Sequence, residues 1–569
     1  MSARKYSTRI RIPEPMEVRL TETEEQLCTL LDECTHRLKE DQGVHTACRI
    51  AGGWVRDKLL GSDSNDIDVA LEDMMGVPFA ESFVSHCAKK KLATKQVARI
   101  ESNPDQSKHL ETARTTILGI ELDFVNLRSE EYTANSRIPT QVAFGTPLQD
   151  ALRRDITINA LFYNVHTREV EDHTEKGLED LRTGTIRTPL APRETFLDDP
   201  LRVIRCVRFA SRFGFDLVLE LANAARDPEI QEALASKISR ERVGEELDKM
   251  MKGRDPLGAI ALIHDLSLYS SIFDVPTSSP IKLSAPLASE NTALAAALIL
   301  HSLLRDDSSA LSQPSAIQLA PVHPLLLSGL SADSTTRQRL FLACALTPYR
   351  GVTCLDAKQK EHAGVSAALR EALKLGVQNH YSDGIPALFS ASDLLHGPVL
   401  GEWGERHVES ERVRTGLLLR EKAVHNPITG SMWATSLLFS LVQHLVPLYD
   451  VANDRIDEEA AGLLIRAYNT FTSRVDELGL QSMVEARPIL DGRDIVRVLG
   501  ASSPGAWVGP VLSRVIEWQL DHPAGSKEEC ETWLLSEHAA GRVSTQASIP
   551  AGKRKENSAA GATKKVKKA

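Results

Sequence analysis

Hydrophobic residues recur along this chain with two different rhythms. In the first third, short apolar runs alternate with glycines and polar turns. "TETEEQL" sets Thr21 three residues before Glu24, a capping-box spacing that predicts a helix running to about Lys39. "ACRIAGG" then reads as a buried strand ending in two glycines, and "WVRDKLLG" as a short helix closed by Gly61. "DIDVAL" is the next strand and "GIELDFVNLR" (119–128) a third. The polar "ESNPDQSKHLETA", with its Asn-Pro, reads as a loop. "TRIRI", close to the N-terminus, alternates like a strand. From about Pro200 apolar positions return roughly every 3.6 residues. "PLRVIRCVRFASRFG", "NTALAAALILHSLLR", "TRQRLFLACALT", "ERVRTGLLLREKAV" and "TSLLFSLVQHLVPL" all predict helices. The Pro/Ser-rich stretches 274–290 and 306–335 read as linkers or insertions.

The pattern therefore predicts an α+β chain, a head of mixed sheet and helices followed by an all-helical remainder. The expected divisions are a catalytic head over 1–195, a neck over 196–260, a body over 261–430, a tail over 431–545 and a disordered basic end over 546–569. A length of 569 residues agrees, since about three or four domains are expected of such a chain. The longest apolar run, starting at Thr292, falls short of the about 20 residues a bilayer span needs. The eight cysteines are scattered without a CxxC, which argues against zinc and disulfides and for a reducing compartment.

A net charge of -10 does not suggest a nucleic-acid binder, but binding follows local patches. The end, "GKRKENSAAGATKKVKKA", carries seven Lys/Arg against one Glu and reads as a nuclear-localisation or nucleic-acid patch, or a plain solvated tail. Arg4, Lys5, Arg9 and Arg11 precede the first acid, Glu14, so the N-terminus fits a short transit peptide as well as a strand.

Asp66 and Asp68 lie on one face of their strand, roughly 7 Å apart at Cα. Two buried unpaired carboxylates would cost several kcal/mol each, and a divalent cation removes that cost. Oxygen ligands with no imidazole or thiolate nearby favour Mg²⁺. Taken alone, the pair reads first as a solvated turn, and such acids also occur in sugar transferases. Gly52 and Gly53 sit between strand and helix, where a phosphate can approach the backbone and the helix N-terminus, with Arg56 one turn on. Gly-Gly, a short helix and a strand carrying the two acids is the layout of a nucleotidyltransferase head of the DNA polymerase β type. Asp123, and less so Glu121, is the candidate third carboxylate, against an ordinary exposed strand acid.

In "RRDITINAL", Arg153 and Arg154 suit phosphates and Asp155 suits ribose hydroxyls, unless the three form a surface salt-bridge cluster. In "DDPLRVIRCVRFASRFG", Pro200 suits a first helical turn and Asp198 and Asp199 suit its cap. Arg202, Arg205, Arg208 and Arg212 then form one basic face, which reads as a site for triphosphate or RNA or as a solvated face. Asp199 and Arg202 are three apart and can meet on one side of the helix. Together they offer an acceptor beside a donor, the complement of cytosine and adenine but not of uracil and guanine. A bidentate match of this kind is worth about 1–3 kcal/mol.

With "GGWVRDKLLG…NDIDVAL", "ALRRDITINALFYN", "DHTEKGLEDLRTGTIRT", "DDPLRVIRCVRFASRFG" and "ISRERVGEEL" in this order, residues 45–255 resemble the class II tRNA nucleotidyltransferases, the CCA-adding enzymes, of the fungal type. "GLLLREKAVHNPITG" and "LDGRDIVRVLGASSPGAWVG" are also similar to fungal members. The resemblance implies catalytic metal ligands at Asp66 and Asp68, holding two Mg²⁺ about 3.5–4 Å apart. It implies a ribose-selecting motif at Arg153, Arg154 and Asp155, and nucleotide binding by Gly52, Gly53, Arg56, Arg205 and Arg208. It makes Asp199 and Arg202 an amino-acid template, braced by Glu241 and Arg242. Asp172 and Gly177 fall in a hinge-like motif between head and neck, and loop 101–113 matches an element needed for the switch from CTP to ATP. Bacterial members often carry Glu-Asp where this chain has Asp198-Asp199. The implied activity is addition of CCA to tRNA from CTP and ATP, in cytoplasm and nucleus or in mitochondria, with no membrane partner. A poly(A) polymerase of the same family and a catalytically silent RNA-binding protein with such a head are the competing readings.

Overall fold

The computed structural model describes residues 9–64, 66–100, 112–133, 136–305, 317–356, 358–396 and 410–545. It separates into two compact units, one of residues 1–397 with 426–469 and one of 398–425 with 470–569.

The first unit opens on helix α1 (Glu22–Gln42). The capping box forms as its spacing predicts. The Glu24 N–H donates to Thr21 Oγ1 (3.2 Å), the Thr21 N–H donates to Glu24 Oε2 (2.7 Å), and left-handed Gly43 ends the helix. Strand β1 (Cys48–Ala51) leads into α2 (Gly53–Leu59), then β2 (Asp66–Leu71) and α3 (Gly76–Lys89). β3 (Ala98–Ile100), β4 (Thr112–Ile117), β5 (Ile120–Asn126), β6 (Arg128–Thr133) and β7 (Ser136–Phe144) follow. Helix α4 (Pro147–Leu152), strands β8 (Phe162–Asn164) and β9 (Glu169–Glu171) and helix α5 (Gly177–Thr183) complete the head. The sheet order is β3-β4-β5-β2-β1-β8-β9, mixed because β2 and β5 run parallel while β1 pairs antiparallel with both β2 and β8.

The period-2 pattern of β2 decides which side chains meet the core. Ile67, Val69 and Leu71 are fully buried on one face. On the other face Ala70 is buried among Ala51, Ala151 and Ala160, while Asp66 and Asp68, at the strand's start, remain open.

After the short β10 (Thr185–Ile186), the neck begins with α6 (Pro192–Asp198) and α7 (Leu201–Phe213). Strand β11 (Asp216–Leu217) pairs parallel with β10. Then come α8 (Leu219–Ala225), α9 (Pro228–Lys237) and α10 (Arg240–Met251). Gly177 lies against the Thr157 carbonyl, where a Cβ would come within 2.8 Å. Asp172 holds the start of α5 by accepting from the Leu178 N–H (2.9 Å).

The helical remainder follows the predicted periods, with helices at Asn291–Leu303, Ser334–Ala345 and Trp433–Leu445 in this unit. The other unit holds Glu411–Arg420, Gly492–Val498, Val508–Asp521 and Lys527–Ala539. Its own core includes Ile495, Trp507, Val515, Trp518 and Leu534.

Three expectations need correction. Residues 9–12 of "TRIRI" form no strand. Instead they cross the head–neck boundary: the Ile10 N–H donates to the Phe213 carbonyl (3.0 Å), Arg9 donates to the Arg182 carbonyl (2.9 Å), and the Arg9 guanidinium sits 5.3 Å from the centre of the Phe215 ring. The third strand stops at Asn126 rather than 128, because the chain turns at Leu127 into β6. The Pro/Ser-rich stretches are not simple linkers. Lys282–Leu283 pairs with Thr353–Leu355, and Pro324–Ala332 is helical, begun by its own proline; residues 306–316 lie outside the described residues.

Candidate active site

One cavity of about 570 Å³ gathers most of the residues singled out above. Gly52, Gly53, Arg56 and Asp68 line it from the β1–α2–β2 segment, and Arg153, Arg154 and Asp155 from the end of α4. Asp199, Arg202, Arg205, Arg208 and Arg212 line it from the start and face of α7. Arg128, Asn159, Phe209 and Arg242 join them. Nine arginines stand against three aspartates among the described lining residues, a surplus of six positive charges in a chain whose net charge is negative. Such a cleft concentrates a polyanion.

The sheet fixes the two ends of this cavity relative to each other. Ala51 pairs with Asp68, so the glycine turn lies one residue beyond a strand position opposite the acid. Gly52 adopts φ 74°, which favours glycine, and a Cβ there would meet Arg154 Nη1 at 2.7 Å. Asp68 opens onto the cavity, yet the surrounding protein desolvates its carboxylate. That burial, together with Asp66 and Asp123 and against Arg154 and Arg114, raises its pKa to about 6. Two acids on one side of a strand, one of them short of positive compensation, fit a divalent cation. Among the described residues no cluster of three or more His, Cys, Asp or Glu could hold a metal. Asp123 sits opposite Asp68 on β5, but both its oxygens accept from Arg114, at 2.7 and 2.6 Å. It is therefore already paired.

The arginines are held by partners the sequence pattern did not single out. Asp150, almost fully buried on α4, accepts from Arg153 through one oxygen (2.8 and 2.5 Å) and from Arg154 through the other (3.1 and 2.9 Å). Burial raises its pKa, but the two guanidiniums outweigh that and hold it below the ordinary value. Its spacing of three and four from the arginines at the end of that helix was the readable signal. Arg56 is buried, bonded to Asp57 (2.8 Å) and Asn159, with its guanidinium 5.1 Å from both the Phe209 and Phe213 ring centres. Asp155 accepts from the Ile156 N–H (2.9 Å), Asn159 (3.1 Å) and two Arg205 nitrogens (2.8 and 2.7 Å). A carboxylate offers about four acceptor sites. Ribose hydroxyls, expected at Asp155, would have to displace one of these donors.

The basic face of α7 is not simply solvated. Arg205 binds Asp155, Arg208 binds Glu246 of α10 (2.5 Å), and Arg212 reaches Asp57 (3.4 Å). Asp199 and Arg202 meet only through the backbone, where the Arg202 N–H donates to the Asp199 carbonyl (3.0 Å), and their side chains turn to other partners. Asp199 accepts from the Leu201 N–H (3.2 Å) and from Arg242 (3.0 Å), while Arg202 donates to the Arg153 (2.6 Å) and Thr195 (3.4 Å) carbonyls. Each keeps unused hydrogen-bonding capacity beside the cavity, and Arg242 Nη1 is buried with no hydrogen-bond partner. Loop residues 101–111 lie outside the described residues.

Comparison with known proteins agrees with this layout. Residues 48–187 match the family described as the poly A polymerase head domain. The chain is 36% identical over 530 residues to the mitochondrial CCA tRNA nucleotidyltransferase of Saccharomyces cerevisiae, covering 91% of this chain and 93% of that one. To the mitochondrial CCA tRNA nucleotidyltransferase of Candida glabrata it is 34% identical over 533 residues, covering 91% and 96%. In fold it is similar to the Thermotoga maritima CCA-adding enzyme complexed with tRNA, with a TM-score of 0.55 at 18% identity, over 94% of this chain and 100% of that one. An α+β head with helical domains behind it and these likenesses together define an enzyme of the nucleotidyltransferase class, which generally uses divalent metal ions. This chain belongs to the CCA tRNA nucleotidyltransferase family.

Proposed function

We propose that this enzyme adds CCA to the 3′ end of tRNA without a nucleic-acid template, using CTP twice and ATP once. The observation that carries this reading is the cavity that joins a glycine turn, Asp68, a bank of arginines and the Asp199/Arg202 pair, with Asp66 two residues before Asp68 on the same strand. Relatives with these names, and a solved relative complexed with tRNA, support the substrate.

Asp66 and Asp68 are the candidate ligands, and their all-oxygen character favours Mg²⁺. When bound there, Mg²⁺ supplies charge neutralisation at the α-phosphate and lowers the pKa of the attacking 3′-hydroxyl. The chain's own residues do the positioning. Gly52 and Gly53 let the triphosphate approach the backbone at the start of α2. Arg153 and Arg154, aimed by Asp150, line the cavity and attract phosphate oxygens there. Asp199 and Arg202 read the base edge, accepting from the amino group of C or A and donating to its ring nitrogen. Asp155, already filled by donors, orients Arg205 and so holds α7 against the head. The mitochondrial relatives support a mitochondrial pool of the enzyme, and the basic segment 546–569 supports a nuclear and cytoplasmic one.

The test is to incubate the protein with tRNA lacking its 3′ CCA and offer each nucleotide singly and together. Growth by three nucleotides that needs only CTP and ATP is the expected result. Open-ended A tails would favour a poly(A) polymerase, and no extension at all a silent RNA-binding protein.

A further inference from the structure

Strands β4, β5 and β2 carry a row of charges across the mouth of the site. Arg114 pairs with Asp123 in one ladder, and Asp123 pairs with Asp68 in the next. One row along, Glu121 lies opposite Asp66. The open face thus bears four acids on two adjacent strands, and one guanidinium beside them. Arg114 donates to both oxygens of Asp123 (2.7 and 2.6 Å) and lies 3.7 Å from Glu121. The Asp123 side chain is 14% exposed, while Arg114 reaches it from the more open side at 44%.

We propose that Arg114 sets the ligand count of the metal site. By holding Asp123 at both oxygens and drawing Glu121 toward itself, it leaves Asp66 and Asp68 as the two carboxylates that take the divalent cation. This rests on the reading of those two residues as metal ligands. A planar fork occupying both oxygens keeps Asp123 from turning a lone pair toward the cation, which a flexible lysine would do less well. Removing the fork frees one negative charge and deletes a positive one beside the site. Both changes favour a cation.

The test uses Mn²⁺ alone as probe, titrated into the full chain without nucleotide and followed by loss of the free-ion electron paramagnetic resonance signal. Arg114→Gln is expected to bind Mn²⁺ about tenfold tighter than the native chain. Asp123→Asn is expected to bind Mn²⁺ several-fold more weakly, because it deletes a negative charge and leaves the Arg114 guanidinium unpaired beside the site. The double variant Arg114→Gln/Asp123→Asn should return to near the native affinity. Unchanged affinity in Arg114→Gln overturns the proposal, as does a double variant that stays tight. Native Mn²⁺ binding that Asp66→Asn leaves intact overturns the metal-site reading itself, and this proposal with it.

Discussion

Asp68 carries a conflict that a bound cation would resolve. Its pKa is raised to about 6, so the folded state holds a proton there more readily than the unfolded chain. The sign follows from linkage: in the metal-free protein this group favours folding at low pH, and that contribution is lost as pH rises from about 4 through 6. Asp68→Asn should therefore abolish nucleotide addition while slightly raising the melting temperature of the metal-free protein, read by calorimetry at pH 7. A fall in melting temperature would mean that Asp68 is compensated in some other way. Asp150 acts through other residues. Asp150→Asn should raise the KM for CTP and ATP about tenfold, with a smaller change in kcat, because two guanidiniums lose their fixed aim. The types of residue in the site were legible in the sequence: both strand acids, the glycines and the arginines all reach one place or its edge. Their partners were not. Glu246 meets Arg208 across 38 positions, and Arg114 meets Asp123 only because two strands pair, so no local spacing announces either contact.

At the scale of elements, α7 is the shared wall of the site. One of its arginines holds the head through Asp155, another holds α10 through Glu246, and Asp199 just before it is held by Arg242. Burial raises the pKa of Asp155, but Arg205, Asn159 and the Ile156 N–H outweigh it and lower the value to about 2. This is the opposite sign from Asp68. The stabilisation is present above about pH 4 and is lost as pH falls toward 2. Arg205→Ala leaves that carboxylate buried without its cation and should cost about 3 kcal/mol or more in denaturant unfolding at pH 7. Gly52→Ala should lose most activity, since φ 74° and the contact with Arg154 both resist a Cβ. The helical period made α7 legible as a basic face. It could not show that the face is inward, because burial of arginines depends on acids supplied by other elements.

For the whole molecule, a negative net charge coexists with a strongly positive cleft, so charge summed over the chain was a poor guide to its partner. The order of head and helical domains was legible because the apolar period changes along the chain. The two-unit division was not, since residues 398–425 group with 470–569 across a long gap in sequence. Chelation of divalent metal should stop tRNA extension without unfolding the protein. Far-ultraviolet circular dichroism should be unchanged with and without chelator, and activity should return on adding Mg²⁺.

The segment bearing Arg9 and Ile10 sets a limit on how far the N-terminus can be shortened. Phe213 ends α7 and Phe215 lies just beyond it, and Ile10 and Arg9 touch them. A cut ahead of Arg9 would leave these contacts intact, whereas a cut a few residues later would free the end of α7. Loss of nucleotide selectivity would then mark a chain shortened too far, and comparing chains that begin before Arg9 with chains that begin after Ile10 would show it.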